Sequence, residues 1–217
     1  MRVRDIKRDA RAALKGQWGF AVLVSFLALF IYSAVPIVIE SIISGGFWDF
    51  IYDETALSAA LGYILPIFLF PILMGHYWVY LSMVRRENVE VKGIFKPFTT
   101  SLQYWKSVGV SFLVNIYIML WMLLFIIPGI IKGIAYSQVY FILKDHPDIQ
   151  VNDAVTMSRR MMDGYKGKYF LMQLSFIGWW ILSILTLGIG LFWLVPYIMA
   201  STASFYENLK LESEKEI

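Results

Sequence analysis

The chain contains no cysteine, which excludes disulfide frameworks, thiolate metal sites and cysteine nucleophiles together. Histidine is nearly as scarce: His76 and His146 are the only two, too few for a histidine-rich metal centre. Charge is short as well. Only 16% of the 217 residues are charged and 59% are hydrophobic, whereas a soluble domain carries about 25% charged residues. Too little polar surface exists to coat a water-facing globule, so lipid is the solvent for most of the chain. The signatures G-x-x-x-x-G-K-[ST], H-E-x-x-H and G-x-S-x-G are also missing. No enzyme, metal or cofactor is expected. The net charge of +3 does not point to nucleic acid, because the basic residues flank hydrophobic runs, where they serve topology and attraction to anionic lipid.

What is present is apolar sequence in long runs. Crossing a hydrocarbon core of roughly 30 Å takes about 20 apolar residues. Runs over 18–43 and 56–84 meet that length, and runs over 107–143 and 169–206 exceed it. At 1.5 Å per residue, either of the last two would stretch to about 55 Å as one helix. Each holds a breaker near its middle, Pro128-Gly129 in one and Gly188-Ile189-Gly190 in the other. Both read as helical hairpins, with five full spans plus a re-entrant segment at 129–143 as the competing count. The N-terminal run is about twice the length of a signal-peptide core and reads as a retained first span.

Charge orients the runs. Arg2, Arg4, Lys7, Arg8, Arg11 and Lys15 precede the first, and Asp49, Asp53 and Glu54 follow it without any lysine or arginine. Basic loops return at 85–106 and 144–168, and such loops belong in the cytoplasm. The expected fold is an all-α polytopic bundle of about six spans in three hairpins, over 18–84, 107–143 and 169–206. Amphipathic segments at 1–17, 89–106 and 150–168 would lie on the cytoplasmic headgroups, followed by a polar tail at 207–217. Both termini would be cytoplasmic, in the plasma membrane. Ser25-Phe26, Ser111-Phe112 and Ser175-Phe176 fall at matching places in the three hairpins and hint at an internal repeat.

Polar residues inside spans are functional candidates by default. His76, Asn115, Gln138, Gln173, Ser25 and Ser175 all fall in the inner half of the membrane, so they are candidates for a cytoplasm-facing vestibule. Interhelical hydrogen bonding is the plainer account of Asn115 and Gln138. Glu40 and His76 are roughly 20 Å apart along the bilayer normal by helix rise, too far for an acid–base dyad. Glu40 and Lys132 read as span-end residues whose charges reach for the headgroups. Arg159, Arg160, Lys166 and Lys168 are candidates for lipid-headgroup contact. The leading expectation is a non-enzymatic lipid- or partner-binding protein at the cytoplasmic leaflet. A transporter or amphiphile-handling protein is the alternative, and a homo-oligomer or membrane-protein partner stays open.

The C-terminal third carries a recognisable string. Ser158-Arg159-Arg160-Met161-Met162-Asp163-Gly164 leads into Leu174-Ser175-Phe176-Ile177-Gly178-Trp179-Trp180-Ile181-Leu182. Leu185-Thr186-Leu187-Gly188-Ile189-Gly190, Trp193, Pro196-Tyr197 and Phe205-Tyr206 follow. With Leu14-Lys15-Gly16-Gln17-Trp18 and Pro128-Gly129, the chain resembles the bacterial membrane-protein family known as domain of unknown function 975. That resemblance implies a bacterial plasma-membrane protein and carries over no catalytic residue.

Overall fold

The computed structural model describes residues 1–52 and 55–213, with no account of the Asp49 side chain. Asp53, Glu54 and residues 214–217, part of the acidic loop and the polar tail, lie outside the described residues. Those described form helices throughout: α1 Val3–Leu14, α2 Trp18–Ile43, α3 Phe47–Tyr52, α4 Ala56–Val84, a 3-10 helix Val91–Phe98, α5 Ser101–Leu124, α6 Ile126–Tyr136, α7 Val139–Asp145, α8 Val151–Met161, α9 Lys166–Leu174, α10 Ile177–Leu185 and α11 Leu191–Ser213.

Local chemistry sets several of these boundaries. Thr55 opens α4 through a reciprocal capping box with Ser58, at 3.0 and 3.1 Å. Thr100 caps Gln103 and starts α5, several residues before the apolar run at 107. α5 therefore begins inside the 89–106 segment expected to lie on the headgroups. Extended Phe125 alone separates α5 from α6. The break thus precedes Pro128-Gly129, because proline in a first turn has no hydrogen bond to lose and starts a helix instead of ending one. The turn between α10 and α11 runs through Leu187 at φ +52° and Gly188 at φ +87°. A further break at Ser175-Phe176 separates α9 from α10 and spoils the third Ser-Phe repeat. Ser25 and Ser111 are buried with their phenylalanines exposed, whereas Ser175 is exposed and Phe176 buried.

Five stretches are long and apolar enough to cross a membrane: Trp18–Ile43, Ala56–Val84, Ser101–Leu124, Ile126–Asp145 and Lys166–Leu185. The protein is a helical, multi-pass, membrane-embedded chain. α11 is not among the five, yet its middle is enclosed: residues 199–206 are buried without exception. It packs against α1, α2 and α4, so protein replaces lipid around it and Ser201, Thr202 and Ser204 are tolerated.

α1 buries Ile6, Ala10 and Leu14 completely, and its Arg4, Arg8 and Arg11 stay exposed. Its apolar face meets protein, chiefly α11. The 3-10 helix seats Ile94 in the core against α4. A Cβ on Gly75 would overlap the Ile94 carbonyl, so only glycine permits this approach.

Candidate functional site

Three helix ends meet at one polar node. Arg85, just past the end of α4, donates to both Asp145 oxygens at 2.7 Å and to Glu207 at 2.8 Å. Asp145 closes α7 and also accepts from Lys210 at 2.8 Å and from the Tyr206 hydroxyl at 2.9 Å, both on α11. Tyr206 stacks on Phe141 at 5.2 Å. Alongside, Lys144 donates to the Trp78 carbonyl at 3.1 Å and to Ser82 at 2.6 Å, and pairs with Glu87 at 3.4 Å. The Asp145 hydrogen bond holds the Arg85 guanidinium protonated more firmly than usual. The Ser82 hydroxyl, helped by Lys144, holds the Glu87 carboxyl below its ordinary range. Every charge here has an opposite partner among the described residues, so the node clamps the helices together.

The vestibule candidates fall in separate places. Ser25 and His76 do meet: Ser25 Oγ lies 3.0 Å from His76 Nε2 and 2.7 Å from the Tyr80 hydroxyl, which donates to the Ala21 carbonyl at 2.9 Å. This is a closed, buried network between α2 and α4. Asn115 is exposed on α5 and donates to the Ser111 carbonyl of its own helix at 2.8 Å. Gln138 sits fully buried at the α6–α7 junction. Its amide donates to Ser137 at 2.7 Å, and its carbonyl oxygen has no partner among the described residues. Gln173 lies beside the Tyr169 hydroxyl on α9. Ser175 accepts from Lys7 of α1 at 2.9 Å, with that ammonium 4.0 Å from the centre of the Phe176 ring.

The basic candidates behave as a surface set. Arg159 and Arg160 are exposed in the last turn of α8. Lys166 pairs with Asp163 at 3.1 Å, and Lys168 lies 4.9 Å from the Tyr165 ring centre. Arg159 alone turns into an open groove of about 420 Å³, lined also by Tyr117, Trp121, Lys132, Tyr136 and Asn152. Lys132 sits 4.6 Å over the Trp121 ring. Glu40 is elsewhere: it is 7% exposed and faces Gly62 of α4, beside Phe50 and Tyr63.

The node and the groove escape sequence reading because their members are far apart in the chain. Arg85 is 60 positions from Asp145 and 122 from Glu207. The available signal is that these charges end apolar runs. Among the described residues no group of three or more potential metal-ligating side chains converges.

Apolar helices facing outward around a closed polar clamp define a helical integral membrane protein. The chain belongs to the family described as protein of unknown function (DUF975), whose profile matches residues 1–132 and 123–213. No curated protein and no solved structure matches it.

Proposed function

We propose that this is a non-catalytic plasma-membrane protein of three helical hairpins, α2–α4, α5–α7 and α9–α11, that engages anionic lipid headgroups of the cytoplasmic leaflet. The observation that carries this is the Arg85–Asp145–Glu207–Lys210 node. Charged groups in contact share one side of the membrane, so the chain makes an even number of crossings between each pair of feet. The amino terminus lies 3.7 Å from Glu212, which supports a shared side for the two ends of the described chain. The basic character of α1 and of the loops makes that side the cytoplasm. There α1 and α8 act as amphipathic helices, with apolar faces docked on the bundle and Arg4, Arg8, Arg159 and Arg160 exposed to headgroup phosphates. A transport route finds no comparable support, since the polar residues that would line it are dispersed.

The absence of native cysteine makes the test direct. Single cysteines replacing Ser213 and Tyr52, both exposed, should react with an impermeant maleimide from opposite sides of right-side-out vesicles, Tyr52 from outside. The purified protein should also retain phosphatidylglycerol in preference to phosphatidylcholine. Labelling of both cysteines from one side, or equal retention of the two lipids, would refute the proposal.

A further inference from the structure

We infer that the groove between the α5–α6 hairpin and α8 is a binding site for the phosphate group of a phospholipid. This deepens the cytoplasmic-leaflet reading and rests on it.

The lining chooses an anion. Lys132 from α6 and Arg159 from α8 converge there with Tyr117, Tyr136 and Asn152 as neutral hydrogen-bonding groups, and no lining residue is acidic. Neither cation has a carboxylate partner among the described residues, in contrast to Arg85, Lys144 and Lys210. Tyr136 is 6% exposed and its hydroxyl makes no hydrogen bond among the described residues. That hydroxyl opens onto the groove beside the two cations, where a ligand with several acceptor oxygens can take all three donors at once. A phosphate has them, and guanidinium and ammonium groups bind it through charge-assisted hydrogen bonds.

Depth chooses a lipid as its carrier. α8 keeps Asp153, Arg159 and Arg160 exposed, and such charges are expensive in hydrocarbon. The parts of the hairpin that α8 runs along therefore lie at or below the headgroups. Those parts extend from Gly109, which faces Val151, to Ala135, whose carbonyl accepts from Ser158 at 2.8 Å, and to the groove itself. Beyond the groove every position from 119 to 127 is exposed, and nearly all are apolar, with Leu123 at 72% and Phe125 at 70%. From Lys132 to Phe125 the helix rises only about 10 Å, a third of a core roughly 30 Å thick. The tip thus enters one leaflet and turns back, and the groove sits at the phosphate plane with acyl chains beside it. Trp121 and Tyr117 suit that level.

The test is native mass spectrometry of the full chain released from micelles containing phosphatidylglycerol or diacylglycerol. Lys132→Gln with Arg159→Gln should lower phosphatidylglycerol retention at least about tenfold, the worth of one charge-assisted contact, while Arg86→Gln with Lys92→Gln, two exposed cations outside the groove, should leave it unchanged. If the unaltered protein retains both lipids equally, the leaflet reading falls and the groove with it. If it prefers phosphatidylglycerol but the two double variants behave alike, only the groove is overturned. Displacement of the lipid by soluble glycerol phosphate at equal concentration would overturn the lipid as carrier. Should the double variant fail to fold, Tyr136→Phe, which removes only the hydroxyl, should still lower retention, and unaltered retention would overturn the site. Finally, a cysteine at Leu124 should resist an impermeant maleimide added from outside. Labelling there would show that the hairpin crosses, and would also overturn the inference.

Discussion

Replacing Asp145 by asparagine removes the acceptor that joins α4, α7 and α11. The carboxylate takes two hydrogen bonds from Arg85, one from Lys210 and one from Tyr206, and its side chain is 9% exposed. The amide keeps the shape but offers only one acceptor, and turns its own donor toward Arg85. Breaking a buried ion pair costs about 3–5 kcal/mol. Arg85 retains Glu207 at 2.7 Å and Lys210 is about one-third exposed, so the lower end, about 3 kcal/mol, applies here. For a chain of this length that corresponds to a fall in Tm of roughly 6–12 °C. Tryptophan fluorescence during heating in a mild detergent would measure it, with Asp153→Asn on the exposed face of α8 as the unshifted control. Arg85→Gln should cost a similar amount, and the double variant clearly less than the sum of the two. Additive effects, or an unshifted Asp145→Asn, would mean that the helix ends are not held by this node. The shared-side argument for the hairpin feet would fall with it.

Three further outcomes follow from the packing. Gly75→Ala should destabilise by about 3 kcal/mol or prevent folding, because its Cβ meets the Ile94 backbone, which cannot rotate away as a side chain can. The same melting assay reads it. Ser25→Ala should cost about 1–3 kcal/mol by stripping His76 Nε2 of its only hydrogen bond among the described residues; a neutral result would mean that water enters there. On acidification, Glu87 has a folded-state pKa below its unfolded value. Its contribution is therefore present above the ordinary carboxylate range and lost as pH falls through the folded value. Glu87→Gln should accordingly flatten the acid limb of a stability–pH profile.

The runs at 18–43 and 56–84 are legible to the residue, as α2 and α4, because unbroken apolar sequence of that length has one low-cost arrangement in lipid. The helix break at Gly188 is legible too, since a left-handed backbone there favours glycine. The start of α5 is hidden, because Thr100 and a polar first turn carry no hydrophobic signal. Pro128 misleads in the opposite direction, opening a helix where a breaker is expected. The dispersion of Asn115, Gln138, Gln173 and Ser175 is hidden as well. A membrane half can be read from position along a span, but the direction a polar side chain faces depends on tertiary packing. Arg159 and Lys132 illustrate the limit: one reads as a headgroup contact and the other as a span end, and only the fold brings them to one groove.

α11 is walled in by helices that precede it in the chain, and it is too polar to be counted with the five apolar stretches. During synthesis the earlier helices must wait in the membrane with an unfilled seam until this segment emerges. A chain stopped before residue 191 should therefore be long-lived only when something else occupies that seam, which makes the cell's membrane insertases and quality-control proteases the natural readers of whether α11 has arrived.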